Sequence, residues 1–282
     1  IRDSHGTRLA GLAEANNVGL MFEAAIAGGI PAVKSLREGL AGNRVSRVSG
    51  ILNGTCNYIL TRMEKTGEPF DEVLADAQKL GYAEAEPSLD VDGIDAAHKL
   101  TILAAIAFGQ TPQFDKVAIS GIRDVSAVDF AYAKQLGFRI KLVGTAEPGR
   151  MPRMQTCLLP MSTQLAKVDG VLNAVEFDAD PVGSVVLTGP GAGSGATSSA
   201  VLSDLVDLAC DRIPLNLWPA GGRARRWQRC RKWRRSRYPL LCAADGRRQA
   251  GRSRRHHLGS ADPRYFGGID AAAGARAAGY RG

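Results

Sequence analysis

The most restrictive stretch of this sequence is GIDAAHKLTILAAIAFG, residues 93–109. Its spacing predicts a helix that is apolar nearly all round after Lys99, so this helix has to lie in a core. Five carboxylates fall within the twelve residues 84–95, just before the lysine: Glu84, Glu86, Asp90, Asp92 and Asp95. The fold must therefore bring a group of negative charges and one lysine to the edge of its interior.

Asp95 and Lys99 stand four residues apart, which places both side chains on one face of that helix. Asp92 is the predicted N-cap of this helix, and Asp95 lies in its first turn. Burial lowers the pKa of a lysine in such a place, whereas carboxylates that face it raise the pKa. A lysine held in this way can exchange a proton near neutral pH. The alternative is a surface helix with an ordinary ion pair that contributes about 0.3–0.5 kcal/mol. Residue types alone leave both interpretations open.

Hydrophobic periodicity divides residues 1–210 into a helix-rich part followed by a strand-rich part. The predicted helices are 4–16, 32–40, one that follows the loop at 53, 69–81, 93–109, 130–137 and 196–210. The predicted strands are 18–25, 44–52, 138–148, 153–161, 170–178 and 183–189. This order favours an α+β fold, with helices packed on one face of a mostly antiparallel or mixed sheet.

Charge is distributed unevenly along the chain, although the formal net charge is only +8. Residues 211–282 carry 17 Arg and one Lys against four Asp and no Glu, whereas residues 1–210 carry 18 basic and 24 acidic side chains. The segment 211–282 has no sustained helix or strand period. A shifted reading frame of GC-rich DNA, a disordered tail and a basic nucleic-acid-binding arm all fit its composition. The near absence of lysine favours the first.

Two further properties argue against whole classes of protein. The longest apolar run, Leu100 to Phe108, is far shorter than the roughly 20 residues of a membrane helix. The five cysteines are odd in number and lack Cys-x-x-Cys spacing, which argues against a disulfide framework and a zinc site. We therefore expect a cytoplasmic protein.

The segment AQKLGYAEAEPSLDVDGIDAAHK resembles the signature of homoserine dehydrogenases. The matching residues are Ala77, Gly81, Tyr82, Ala83, Pro87, Asp90, Val91, Gly93, Asp95 and Lys99. Glu86 departs from the residues usual before the proline, which are Asp, Asn or Ser. The segments 21–64, FRIKLVGTA and VVLTGPGAGSGATSSAVLSDLVDLA resemble the same family, so the resemblance extends over about residues 1–210.

This resemblance implies reversible interconversion of homoserine and aspartate semialdehyde with NAD or NADP, in threonine, methionine and isoleucine biosynthesis. Lys99 matches the residue that exchanges a proton with the substrate oxygen. Glu84 and Asp90 match contacts to the substrate ammonium group, and Asp95 orients the lysine side of the site. Thr55, in the loop NGTCNY, offers a hydroxyl to the substrate.

Gly54, Gly81 and Gly193 match positions beside the cofactor in the family. Taken alone, Asn-Gly-Thr at 53–55 is more typical of a turn with a helix cap. Gly193 belongs to a G-x-G-x-x-A pattern between a strand and a helix, but no second β-α-β unit follows, which argues against a dinucleotide fingerprint there.

FEAAIAGGI matches a loop that holds a structural, sodium-like monovalent cation in the family. Its ligands would be mostly backbone oxygens, at Glu23, Ile26, Gly28 and Ile30. The sequence by itself indicates only a glycine-rich turn at this place.

The resemblance predicts four parts: residues 1–17 as a remnant of a nucleotide-binding domain, 18–188 as a catalytic and dimerisation domain, 189–210 as the loop and helix that return to the nucleotide domain, and 211–282 as the Arg-rich tail. It implies a homodimer. It also places a nucleotide-binding domain and a second catalytic lysine upstream of Ile1, so we expect a gene fragment. The competing hypotheses are an inactive substrate-binding or dimerisation fragment and a nucleic-acid-binding protein; the lack of a recognisable basic and aromatic module argues against the latter.

Overall fold

A computed structural model gives the structure of residues 3–210 and Arg212. Within these residues the strands are β1 (Arg44–Ile51), β2 (Ala118–Ile119), β3 (Phe138–Ala146), β4 (Arg153–Pro160), β5 (Leu172–Asp180) and β6 (Gly183–Pro190). They form one sheet in the order β2-β4-β3-β1-β5-β6. The edge strand β2 runs parallel to β4, and the other neighbouring pairs are antiparallel. The predicted mixed, mostly antiparallel sheet is confirmed.

The α-helices occupy the positions that the periodicity predicted, with one short addition, α5. They are α1 (Asp3–Ala15), α2 (Ala32–Lys34), α3 (Gly54–Thr66), α4 (Phe70–Lys79), α5 (Ser88–Val91), α6 (Ile94–Phe108), α7 (Ala127–Gln135) and α8 (Ser194–Ala209). Helix α2 continues as a π-helical turn, and single 3-10 turns lie at Glu23–Ala25, Phe114–Lys116 and Leu165–Lys167. Helix α5 and strand β2 were not predicted. Among the described residues, no helix combines the length and hydrophobicity that crossing a membrane requires.

The main core lies between the helices and one face of the sheet. Its sheet side includes Leu142, Val175 and Phe177, and its helix side includes Leu60 and Leu100, all less than 5% exposed. Because side chains alternate between the two faces of a strand, the neighbours of these sheet residues point the other way. There a smaller apolar cluster forms, made of Ile51, Val143, Leu165, Val168 and Ala174.

Helix α3 continues the path of strand β1 into the sheet layer. Strand β1 pairs with β3 only from Val48 to Gly50, and after Ile51 the chain turns into α3. The helix then contacts both strands that flank β1, namely β3 and β5. The connecting residues Leu52 and Asn53 are consequently buried at the end of the strand, where polar groups are shielded from water.

The strand predicted at residues 18–25 is wrong, since this segment ends in a 3-10 turn at Glu23–Ala25. The Glu23 side chain is buried and accepts hydrogen bonds from the backbone N–H groups of Val33 at 2.8 Å and Lys34 at 2.9 Å. A carboxylate at the start of a helical turn satisfies N–H groups that have no helical partner. This local bonding turns the chain toward α2 instead of extending it along a sheet.

The predicted N-cap of α6 is also wrong. Gly93 occupies that position with a φ of 80°, and its neighbour Asp92 forms an ion pair with Arg123 at 2.5 Å. The sequence could not indicate this partner, which lies 31 residues away. The prediction of a disordered or frameshifted tail over 211–282 lies outside the described residues, apart from Arg212.

Candidate active site

The side-chain amide of Asn53 bridges the carboxylates of Asp90 and Asp95. Asn53 is the N-cap of α3, and its Oδ1 accepts a hydrogen bond from the Cys56 N–H at 2.9 Å. Its Nδ2 donates to Asp90 Oδ1 at 2.7 Å and to Asp95 Oδ2 at 3.1 Å. Two like charges are thus held close together by a neutral donor between them. Asn53 was not among the predicted site residues.

Lys99 completes this cluster from the same face of α6 as Asp95. Its Nζ donates to Asp95 Oδ2 at 2.7 Å and to the Leu52 carbonyl at 3.2 Å. The side chain is 22% exposed and that of Asp95 is 35% exposed, so both border solvent without lying fully in it. The predicted pairing across one helical turn is confirmed. An ammonium group has three N–H donors, and these two partners take two of them within the described residues.

The surroundings shift the protonation of Asp90. Burial raises the pKa of this carboxyl, the hydrogen bond from Asn53 opposes the shift, and the charge of Asp95 adds to it. The Cys56 thiol beneath it donates to the Asp90 carbonyl at 3.1 Å, and burial raises the pKa of Cys56 well above its ordinary value. Cys56 therefore stays protonated and is not a nucleophile.

Glu84 lies on an exposed loop that α3 and α4 hold in place. Thr55 Oγ1 donates to the Tyr82 carbonyl at 2.6 Å, and Gln78 Nε2 donates to the Glu84 carbonyl at 3.0 Å. The rings of Tyr58 and Tyr82 lie 4.9 Å apart in a tilted contact. The negative charge of Glu84 makes a smaller contribution to the raised pKa of Asp90.

The three predicted cofactor glycines lie at or beside helix ends. Gly54 opens α3, Gly81 follows α4 with a φ of 74°, and Gly193 precedes α8 with a φ of 107°. At Gly54 a Cβ atom would lie 2.7 Å from the Val171 carbonyl oxygen, so no larger residue fits there without a shift of the backbone.

The predicted cation loop turns sharply, with φ values of 54° at Ala27 and 51° at Gly28. Of its four predicted ligand carbonyls, that of Glu23 accepts from Ile26 N–H and that of Ile30 accepts from Ala32 N–H. Within the described residues, the carbonyls of Ile26 and Gly28 accept no such backbone bond. The part of the chain that the structure describes contains no group of three or more His, Cys, Asp or Glu side chains suited to a metal. Any ion at this loop would therefore depend on backbone oxygens.

Sequence reasoning missed Asn53 as a member of the site, although one signal was present. An asparagine between a strand and a helix is a strong N-cap candidate. The partners of its amide lie 37 and 42 residues away, and no spacing rule connects them.

Comparison with known proteins places these residues in context. A family model described as homoserine dehydrogenase matches residues 31–206. Homoserine dehydrogenase from Pseudomonas aeruginosa is 50% identical over 207 residues, which cover 72% of this chain and 48% of that protein. The Neisseria gonorrhoeae enzyme is 48% identical over 208 residues, covering 73% and 48%. The chain thus spans about half the length of the curated relatives it matches.

Solved structures of similar proteins agree with the fold. A homoserine dehydrogenase from Thiobacillus denitrificans has a TM-score of 0.74 at 46% identity, covering 77% of this chain and 53% of that one. A hyperthermophilic archaeal homoserine dehydrogenase in complex with NADPH has a TM-score of 0.65 at 32% identity, covering 74% and 61%.

Proposed function

The chain belongs to the homoserine dehydrogenase family, and we propose that it supplies the substrate-binding and proton-transfer residues for the NAD- or NADP-dependent interconversion of homoserine and aspartate semialdehyde. The observation that carries this proposal is the cluster in which one amide and one lysine hold Asp90 and Asp95. A substrate with an ammonium group and a reacting oxygen requires both carboxylates and a proton carrier.

Substrate binding falls to the carboxylates that face solvent. Glu84 is exposed, and Asp90 is partly exposed. Both can accept hydrogen bonds from the substrate ammonium, and hydrogen bonds between charged partners are the stronger kind. Thr55 contributes indirectly, because its hydroxyl holds the Tyr82 carbonyl and with it the loop that carries Glu84.

Proton transfer falls to Lys99. In the oxidative direction its neutral amine accepts the hydroxyl proton of homoserine as the C–O bond becomes a carbonyl. In the reductive direction its ammonium group returns a proton to the substrate oxygen. Asp95 and the Leu52 carbonyl position Nζ for both steps, since each accepts one of its hydrogen bonds.

The cofactor is NAD or NADP, and the archaeal relative in complex with NADPH supports this assignment. When bound, the nicotinamide accepts or delivers the hydride that changes the oxidation level of the substrate carbon. Gly54, Gly81 and Gly193 are the proposed contacts. A Cβ atom at Gly81 or Gly193 would meet no atom within 4 Å among the described residues, so open space for a ligand lies beside both.

Glu84→Gln tests the proposed substrate site in the complete gene product. We expect the KM for homoserine to rise roughly tenfold or more, because a hydrogen bond between charged groups contributes about 1.5–3 kcal/mol. The measurement is homoserine-dependent formation of reduced cofactor, and the exposed residue Glu72 of α4 provides the control variant Glu72→Gln. Absence of any homoserine oxidation by the wild type would disprove the proposed activity, whereas an unchanged KM in Glu84→Gln would remove only Glu84 from the site.

The pH dependence follows from Asp90. Its raised pKa means that this carboxylate gains a proton at a higher pH than an ordinary aspartate as the solution is acidified. Affinity for the substrate ammonium should therefore begin to fall early on the acid side of the profile in the same assay.

We also propose a monovalent cation at the loop from Glu23 to Ile30, coordinated by the carbonyls of Ile26 and Gly28 among others. Binding to the folded state alone would stabilise it by about 1.4 kcal/mol at ten times Kd. The melting temperature should be higher in sodium chloride than in choline chloride of equal ionic strength. Equal melting temperatures across a wide salt range would contradict a sodium site.

The division into residues 1–17, 18–188 and 189–210 stays a prediction, as does the homodimer. The relatives and the sheet architecture support a catalytic region centred on 18–188. Sedimentation equilibrium measures the oligomeric state directly, and a monomer at all concentrations would exclude the dimer.

A further inference from the structure

The short helix α5, which carries Asp90, is supported by a loop that the proposed mechanism does not use. This loop, residues 120–123, follows strand β2. The Ile122 N–H donates to the Val91 carbonyl at 2.9 Å, and both residues are fully buried. A Cβ atom on Gly121 would lie 2.2 Å from the Val91 carbonyl oxygen, so the two backbones are in direct contact. The loop therefore packs closely against α5.

Arg123, the last residue of this loop, binds both ends of α5. Its Nη2 donates to the Oγ of Ser88, the first residue of the helix, at 3.1 Å. Its Nε donates at 2.5 Å to the Oδ1 of Asp92, which directly follows the helix. Asp90 lies between these two contacts in the sequence. A guanidinium group makes both bonds at once because its N–H donors are arranged in a rigid, planar fork.

The contacts continue to Glu86, where the sequence departs from the family signature. The Ser88 hydroxyl donates to the Glu86 carboxylate, and Glu86 Oε1 also accepts from the Ser88 N–H at 3.2 Å. These hydrogen bonds lower the pKa of the Glu86 carboxyl, and the charge of Arg123 acts in the same direction. Glu86, Ser88, Arg123 and Asp92 thus form one polar network along α5.

Asp90 itself is held by the start of α3. Asn53 Nδ2 donates to its carboxylate at 2.7 Å, and the Cys56 thiol donates to its carbonyl at 3.1 Å. A helix of four residues is a single turn, which has little stability of its own. The position of Asp90 therefore depends on the groups that hold α5, namely the start of α3 and the polar network.

We propose that Arg123 is a positioning residue for substrate binding, which holds both ends of α5 and so keeps Asp90 in place for the substrate ammonium; this inference rests on the proposed dehydrogenase function. Arg123 is 45% exposed, and an exposed ion pair contributes little to stability. Its effect lies in orientation, because a small displacement of a binding group is enough to weaken its contact. Lys99 and Asp95 lie on α6, so proton transfer does not depend on this contact.

The test measures kcat and the KM for homoserine with the complete gene product and its variants Arg123→Gln and Asp92→Asn. We expect Arg123→Gln to raise KM roughly two- to tenfold, the effect of losing one or two hydrogen bonds, with kcat close to the wild-type value. Asp92→Asn should raise KM as well. If the two residues acted only through their charges, their removal would have opposite effects, because a cation repels the substrate ammonium and an anion attracts it.

Two further variants examine the geometry of the contact. The double variant of Arg123→Gln with Asp92→Asn should have about the KM of the single variants, because both changes break the same contact. Arg123→Lys keeps the charge but not the fork, so its KM should be intermediate. The control is Arg62→Gln, since Arg62 pairs with Glu68 at 3.3 Å and is 43% exposed, much like Arg123. It should leave KM unchanged, and thermal melting checks that every variant folds.

The outcomes separate this inference from the proposed function. An unchanged KM in Arg123→Gln, or opposite changes of KM in Arg123→Gln and Asp92→Asn, would overturn the inference and leave the proposed function standing. A wild type that does not oxidise homoserine would overturn both.

Discussion

Lys99→Ala is expected to lower kcat for homoserine oxidation by about 10²–10⁴-fold, the usual contribution of a positioned proton-transfer group. The physical reason is the loss of the amine that Asp95 and the Leu52 carbonyl hold at the mouth of the site. The KM for homoserine should change much less, because the ammonium group of the substrate is assigned to Glu84 and Asp90. Steady-state kinetics on the complete gene product measures both quantities.

Lys79→Ala is the matched control for this experiment. Lys79 also pairs with an aspartate on its own helix, Asp76, at 3.0 Å, but it is 76% exposed. Its removal should leave kcat unchanged. Near-normal turnover in Lys99→Ala would mean that Asp95 and Lys99 form only a helix ion pair.

Lys99→Arg separates charge from proton transfer. Arginine can keep the ion pair with Asp95, but it does not release its proton in the physiological pH range. We therefore expect the arginine variant to be slow as well. Restoration of turnover by arginine would assign Lys99 an electrostatic role and leave the proton transfer to another group.

The elements of this fold follow from local patterns, since apolar residues repeat with helical or strand period along most of residues 3–210. Helix α6 is the clearest case, because the part of it that follows Lys99 is almost entirely apolar and therefore has to lie in the core. The pairing of Asp95 with Lys99 was predictable for the same reason, as both lie on one helix at a fixed spacing. Predictions that rest on residue spacing within a single helix or strand were thus confirmed by the structure.

Contacts between distant segments could not be predicted in this way. Asn53 reaches Asp90 and Asp95 only because β1 ends beside the start of α6, and Asp92 turns to Arg123 instead of capping its helix. The strand predicted at 18–25 failed because the buried Glu23 carboxylate binds the N–H groups of Val33 and Lys34. In each case a polar side chain was satisfied by a distant partner that residue spacing does not encode.

Lys141 is the strongest instance of such a contact and yields the second large effect. It lies in the middle of strand β3 with its side chain fully buried. Its Nζ donates to Asn57 Oδ1 at 3.1 Å, to the Val168 carbonyl at 2.6 Å and to Asp169 Oδ1 at 3.1 Å. Lys141 thereby connects strand β3 to helix α3, through Asn57, and to the segment that carries Val168 and Asp169.

We expect Lys141→Ala to lower the free energy of unfolding by about 3–5 kcal/mol. Truncating a long buried side chain to alanine costs about 2–5 kcal/mol, and the acceptors left without a donor add to this. Asp169 is 37% exposed and keeps Arg139 at 2.8 Å, so its own charge remains compensated. Denaturant unfolding of the variants measures the effect.

Lys65→Ala is the control, since Lys65 approaches the same carboxylate, Asp169, at 3.6 Å but is 61% exposed. Its removal should change stability by less than about 1 kcal/mol. A Lys141→Ala variant no less stable than Lys65→Ala would contradict a structural role for the buried lysine. Lys141→Met separates the contribution of packing from that of the hydrogen bonds, because methionine restores most of the lost volume but none of the hydrogen bonds.

The pH dependence of the free energy of unfolding, compared between the wild type and Lys141→Met, provides an independent check on the charge of Lys141. Burial lowers the pKa of Lys141 in the folded protein, and the charge of Arg139 acts in the same direction. Between the lowered folded value and the ordinary unfolded value, the unfolded chain holds the proton and the folded chain does not. Stability contributed by Lys141 therefore rises with pH across that window and is smallest below it. The stability difference between wild type and Lys141→Met should follow the same trend, and a difference that falls as the pH rises would mean that the ammonium is stabilised, not strained, by its surroundings.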